Sequence, residues 1–305
     1  MLQFIVRRTL SGALSLAVLI TLIFFFARLS GNPTDLYLPM DASEAVRNQI
    51  AEERGFNEPV LSQFARFLSD LARGDLGQSL RFARPAIDVV AEAMPTTLTL
   101  AALAMPIATI LALILGSLAA LRPDGIFDRI ASGTSLAAAA LPDFWLAIVG
   151  ILVFAVSLRW LPTSGMGTPL HWILPVAILV FRPLGILVQV VRTSMIAVLS
   201  ADYIRAAQAK GVRQATIVMR HALPNAIIPM LMVVAYQSAG ILNGAIVIEV
   251  IFGLPGVGRL MLDSIVFRDF NLLQATVVVT AVAIFAVTAL ADILHALIDP
   301  RINHG

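Results

Sequence analysis

Four ionisable residues fall inside or at the edge of long apolar runs: Asp143, Arg182, Glu249 and Asp292. A bare charge at mid-bilayer costs roughly 2.5–3.5 kcal/mol on insertion scales, so such groups face a polar cavity, a partner or the interface. Asp143 follows Pro142, a break that frees backbone carbonyls, and Arg182 lies near the middle of an apolar stretch, just before Pro183. Two readings stand side by side. One is contact with a charged group of a solute in a polar pathway; the other is a structural ion pair between Asp143 and Arg182. Glu249 and Asp292 lie near the ends of their runs, where an interfacial position accounts for them.

Other chemistries fail on residue type or spacing. The chain has no cysteine, which removes disulfides, thiolate metal sites and cysteine nucleophiles. His171, His221, His295 and His304 form no H-E-x-x-H or other metal spacing. Lys210, the sole lysine, precedes Gly211 rather than Ser or Thr, so no Walker A motif is present. Gly253-Leu-Pro-Gly-Val-Gly258 follows an apolar run rather than a strand and lacks a following Lys-Ser/Thr, which argues against a phosphate loop. A Gly-x-Gly-Asp set for an intramembrane enzyme is also missing.

The elements that carry these residues follow from composition. Of 305 residues, 59% are hydrophobic and only 13% charged, with a mean hydropathy of +0.89. A water-soluble fold cannot cover its surface on so few charges. About 20 consecutive apolar residues span hydrocarbon, and six such runs are predicted, near 9–29, 97–121, 131–158, 172–191, 226–252 and 272–291. Arg7-Arg8 ahead of Thr9–Ala27 is expected to open an uncleaved first span, being too long for a signal peptide and lacking an A-x-A-like site. With 21 cations against 19 anions and no polybasic run, nothing points to nucleic acid.

Short-loop cations set the expected orientation. With the N-terminus cytoplasmic, the inside holds Arg7, Arg8, Arg122, Arg129, Arg192, Arg205, Lys210, Arg213, Arg220 and Arg301, against Arg159, Arg259 and Arg268 outside. Both termini are therefore expected in the cytoplasm, with the polar segment 30–93 outside as a small lid-like subdomain. A secondary carrier would need inverted repeats of broken helices, and no repeat is present.

The predicted cytoplasmic stretch Ser200–Asn225 reads as a short helix, a glycine turn at Gly211, a second short helix and a proline stop at Pro224. Ala206, Ala207 and Ala209 lay small residues just before Gly211, suited to a partner's groove. On residue type alone, a solvated positive-inside loop accounts for the segment. The spacing of Ala206-Ala207, Gly211 and Leu223-Pro224 resembles the "EAA" loop of ABC importer permeases, Glu-Ala-Ala-x3-Gly-x9-Ile-x-Leu-Pro. Arg205 stands where that pattern has Glu, and His221 where it has Ile.

Those departures are similar to the dipeptide/oligopeptide/nickel branch of the family. The same branch is matched by Phe4-Ile-Val-Arg-Arg8, Gly31-Asn-Pro33, Gly74-Asp-Leu-Gly-Gln-Ser79, Pro95-Thr-Thr-Leu98, Pro142-Asp-Phe-Trp145, Glu249–Gly258, Arg268-Asp269 and Asp299-Pro-Arg-Ile302. The resemblance implies an all-α membrane protein with six transmembrane helices in the type I ABC importer permease fold. An extracytoplasmic insertion is then expected between the first and second spans.

The implied division is 1–29 for the N-terminal tail and first span, 30–93 for the insertion, 94–292 for the permease core with a coupling loop at 192–225, and 293–305 for a cytoplasmic tail. Arg205, Ala206, Ala207, Gly211, Leu223 and Pro224 would meet the ATPase. Glu249, Pro255, Gly256 and Gly258 would form a turn at the outer mouth. The implied partners are a second, homologous permease, two cytoplasmic ATPase subunits, an extracytoplasmic solute-binding protein and membrane lipid, in a bacterial inner membrane. The subunit is expected to bind no cofactor and to do no chemistry itself, with ATP used by the partners. Its implied cargo is a di- or oligopeptide, a nickel chelate, glutathione or another small solute.

Overall fold

The computed structural model describes residues 2–29, 43–53, 55 and 57–298. Gly31-Asn32-Pro33, Asp299–Ile302 and His304 lie outside the described residues, as do the side chains of Arg7, Arg8, Asp292 and His295. The described chain is helical: α1 Leu2–Leu29, α2 Glu44–Glu53, α3 Val60–Ala72, α4 Ala86–Leu121, α5 Ile126–Ala140, α6 Asp143–Gly150, α7 Leu170–Leu199, α8 Asp202–Ala209, α9 Gln214–Ile217, α10 Leu223–Phe252, α11 Val257–Val266 and α12 Phe270–Ile298. Wide π turns at Ile151–Ser157 and Val218–Ala222 continue α6 and join α9 to α10.

Among the described residues, five helical stretches are long and apolar enough to cross a membrane: Thr9–Leu29, Ala86–Leu121, Leu170–Leu199, Gln214–Phe252 and Phe270–Leu290. The predicted span at 131–158 is not one rod. It is the pair α5 and α6, bent by 105° at Leu141-Pro142, and a count of six holds only when that pair is taken as one span. Proline is the cause. It pushes the preceding residue out of the helical region, and Leu141 sits at φ −79°, ψ 131°.

The chain forms two compact units, one of residues 1–5, 97–254 and 284–305, the other of 6–96 and 255–283. In the first, α7 packs against α5, α6 and α10. Leu100, Ala104, Ala108 and Ala112 recur every fourth residue on α4 and are all fully buried, one stripe of a helix. Between helices in lipid, close backbone approach replaces the hydrophobic drive, so small residues mark the crossings. Gly185 on α7 is such a point: a Cβ there would lie 2.5 Å from the Ser135 carbonyl oxygen of α5.

The second unit has two cores. Phe24 of α1 stacks on Phe67 and meets Phe64 of α3, with ring centroids 5.3 and 5.1 Å away. Leu76, Val89, Val90, Leu260 and Leu272 bury together in the other. Beside it, the Gly74–Ser79 segment meets Arg268-Asp269. Asp269 is 1% exposed and accepts the Ser79 hydroxyl at 2.6 Å, the Arg81 amide at 3.2 Å and the Leu272 amide at 3.1 Å.

Candidate functional site

The segment Ser200–Asn225 is built from its turns outward. α8 ends at Ala209, and Gly211 lies in the left-handed region at φ +78°. The Gly211 amide donates to the Gln208 carbonyl at 2.9 Å, and the Val212 amide to the Ala207 carbonyl at 3.2 Å. That pair of bonds is the Schellman helix ending, which needs a residue at positive φ and takes glycine without a Cβ penalty. A Cβ on Gly211 would meet nothing within 4 Å, so the backbone conformation, not crowding inside this chain, calls for glycine.

On the inner side Ile204, Ile217 and Ala222 are buried to 1% or less. Tyr203, Arg205, Ala206, Ala209, Lys210 and Gly211 face out, and Ala207 is half-buried. Arg205 pairs with Asp202 one turn earlier on α8.

Pro224 does not stop a helix, as its residue type had predicted; it stands in the first turn of α10, after Leu223. Proline is tolerated there because first-turn amides lack intrahelical partners. It also cannot donate to the Arg220 carbonyl, and its ring crowds that group in a regular helix. The π turn Val218–Ala222 widens the chain at this point, and the Asn225 side chain donates to the His221 carbonyl at 2.6 Å. Leu223-Pro224-Asn225 is thus a helix continuation with a built-in wide turn.

A second polar feature lies within the first unit, where α6, α7 and α10 enclose a cavity of about 600 Å³. Leu179, Arg182, Pro183 and Ile186 line it from α7 at spacings of three and four, one helix face. Tyr236, Gly240, Asn243 and Gly244 do the same from α10, and Asp143 enters from the first residue of α6. Asp143 and Arg182 share this cavity without an ion pair between them. The Asp143 Oδ1 atom is buried with no hydrogen-bond partner, and Arg182 is exposed to the cavity and solvent. Pro183 has no N–H for the Leu179 carbonyl, which adds an acceptor to the same wall.

Glu249 sits near the end of α10. It is fully buried, and the Thr97 hydroxyl donates to its Oε1 at 2.6 Å. α10 then ends at Gly253, with the Leu254 amide donating to the Glu249 carbonyl at 2.9 Å. Pro255, Gly256 and Gly258 belong to the other unit, where Pro255 is exposed and the two glycines are buried at the start of α11.

Sequence reasoning passed over Tyr236, Gln237 and Asn243, although three polar residues inside one apolar run were visible signals. It also passed over Thr97 as the partner of Glu249, and over Asp128, which Arg192 grips across the fold. Among the described residues, no three His, Asp or Glu side chains converge as metal ligands would.

The helix arrangement is shared with solved transporter structures. It matches the methionine ABC transporter MetNI in inward-facing conformations, with a TM-score of 0.59 at 14% identity over 69% of this chain and 96% of that one. It also matches an amino acid ABC transporter crystallised with histidines, with a TM-score of 0.51 at 19% identity over 70% and 94%. These likenesses show that the chain shares its fold with chains of two ABC transporters.

Residues 108–304 match the binding-protein-dependent transport system inner membrane component, and residues 1–101 match the N-terminal part of such membrane components. The chain belongs to this family. The glutathione transport system permease protein of Pectobacterium atrosepticum is 34% identical over 305 residues, covering 100% of both chains. The oligopeptide transport system permease protein of Haemophilus influenzae is 35% identical over 310 residues, again 100% of both. A peptide transport system permease protein of Brucella melitensis, named as putative, is 33% identical over 314 residues, also covering 100% of both. The chain is therefore an inner-membrane component of a binding-protein-dependent transport system, with several helices apolar enough to span the bilayer.

Proposed function

We propose that this chain is the permease subunit of an ATP-driven, binding-protein-dependent importer of di- or oligopeptides, forming half of the translocation pathway. The observation that carries this reading is end-to-end similarity to permeases named for oligopeptide and glutathione transport, glutathione being itself a tripeptide. The six predicted spans count the bent α5–α6 pair as one, with both termini cytoplasmic and 30–93 forming the outer insertion. A second, homologous permease completes the pathway. Two ATPase subunits bind ATP at the cytoplasmic side, and a solute-binding protein delivers cargo at the other.

Arg205, Ala206, Ala207, Gly211, Leu223 and Pro224 form the surface that meets an ATPase subunit. The Schellman ending at Gly211 and the outward-facing small residues of α8 support that role, since both let a partner's groove approach the backbone closely. Closure of the ATPase dimer on ATP favours one permease state over the other, and the loop carries that preference to the spans.

Glu249 with the Gly253–Gly258 turn stands at the outer mouth. The test is reconstitution: the chain, its homologous permease, the ATPases and the binding protein are placed in vesicles with a radiolabelled dipeptide. ATP-dependent, binding-protein-dependent accumulation is expected. Accumulation without ATP or without the binding protein would sink the reading in favour of an ion-coupled carrier.

A further inference from the structure

We infer that the cavity between α6, α7 and α10 is a solute site for a zwitterion, with Asp143 taking the α-ammonium group of a short peptide and Arg182 its terminal carboxylate. The inference rests on the importer reading above and names the substrate class that the pathway selects.

The first argument is the state of the two charges. Other guanidinium–carboxylate pairs among the described residues close into hydrogen bonds, twofold in Arg192 with Asp128 and Arg84 with Glu92, single in Arg81 with Asp263. Asp143 and Arg182 line one cavity and do not close: Asp143 Oδ1 is buried and unpartnered. Unlike charges that line one cavity without bonding to each other match a ligand with unlike charges at its two ends. A ligand of single charge would satisfy one wall and leave the other without a partner.

The second argument is complementarity of the remaining groups. A guanidinium offers a planar fork of donors that fits a carboxylate. An ammonium has three donors and takes a carboxylate acceptor, which Asp143 supplies from α6. The amides of Gln237 and Asn243 line the same cavity and can both accept and donate, as a peptide bond requires.

Position and size agree. Arg182 stands about 18 Å along an α7 of about 45 Å, near its middle. A cavity of about 600 Å³ lies within the range of about 300–1,000 Å³ that holds small ligands.

The test uses the assembled permease–ATPase complex in nanodiscs without binding protein. Equilibrium binding of radiolabelled L-alanyl-L-alanine is measured beside its N-acetyl and C-amide forms. Wild-type protein should bind each blocked form about ten- to a hundredfold more weakly, the effect of one lost charge-assisted contact. Asp143→Asn should weaken dialanine by a similar factor and leave the N-acetyl form unchanged; Arg182→Gln should do the same with the C-amide form.

Equal binding of all three compounds to wild-type protein overturns the site, as does no binding of dialanine. Neither comparison depends on a variant folding. Release of the second permease from the purified complex by Asp143→Asn would also overturn it, since the cavity would then hold a partner side chain. Uptake separates the two readings. Binding-protein-dependent uptake that treats free and blocked dialanine alike sinks the zwitterion site alone, whereas no ATP-driven uptake of any peptide sinks the peptide-importer reading.

Discussion

Arg192 holds Asp128 through two atoms of its guanidinium: Nε donates to Oδ1, and an Nη atom donates to Oδ2 at 2.7 Å. Asp128 is 2% exposed and also accepts the Asp124 amide at 2.8 Å. The pair ties the first turn of α5 to α7, about two turns before α7 reaches Ser200. Removing one partner of a buried pair strands the other charge, whereas removing both leaves no charge to strand.

Arg192→Met should therefore destabilise the assembled subunit by about 3–5 kcal/mol, and Asp128→Leu in the same background should restore much of the loss. Thermal unfolding of the purified complex reads this directly. A double variant that melts as low as Arg192→Met alone would show that the two residues act separately.

Gly211 allows a test that separates backbone from partner. Gly211→Val places a β-branched residue at φ +78° and should cost about 1–2 kcal/mol locally while lowering uptake and stimulated ATP hydrolysis. Gly211→Asn tolerates the left-handed region. Recovery in Gly211→Asn assigns the effect to the Schellman ending. Failure of both variants, with the ATPase no longer copurifying, assigns it to close approach of the partner. Wild-type behaviour of Gly211→Val in all three measurements would remove this glycine from the coupling surface.

The Ser79–Asp269 bond makes a prediction for the other unit. Ser79→Ala leaves the buried Asp269 with one fewer donor and should loosen the segment that carries Arg81 and Arg84, at about 1–3 kcal/mol. Trypsin should then cut after Arg81 several times faster than in wild-type protein. Unchanged cleavage would mean that the Arg81–Asp263 contact at 3.1 Å and the Arg81–Phe267 stacking at 3.9 Å hold the segment by themselves.

Orientation is checked with single cysteines in this cysteine-free chain. Ser62 and Gln214 are both exposed side chains. On intact cells, a membrane-impermeant thiol reagent should label Ser62→Cys and leave Gln214→Cys unlabelled until the cells are opened. The reverse pattern would overturn the cation-based orientation.

The long apolar runs were legible because hydrophobic length alone decides whether a helix can cross hydrocarbon. The 105° bend was half legible: Pro142 was seen to free carbonyls, yet the run 131–158 still read as one span because its apolar character continues through the break. Gly211 was legible as a turn, and the two bonds that require its positive φ are local. Pro224 misread as a stop because proline serves a helix start equally well, and only the neighbouring π turn distinguishes the cases. Pairings such as Thr97 with Glu249 and Asp128 with Arg192 join residues far apart in the chain, and a single sequence carries no signal of which distant polar groups meet.

The wide turn before Pro224 has a mechanical result. Because Val218–Ala222 continues the helix rather than breaking it, Gln214–Phe252 is one uninterrupted stretch of 39 residues. At 1.5 Å per residue it is about 58 Å long, nearly twice the roughly 30 Å of hydrocarbon. Its tip at Gln214 stands about 39 Å from Gly240 on the cavity wall, a long arm on a short fulcrum. A tilt of about 10° at Gly240 sweeps that tip through about 7 Å, the arc that follows from this arm length. A displacement of the tip at Gln214 about that pivot would thus leave Gly240 in place and turn the helix face that lines the cavity.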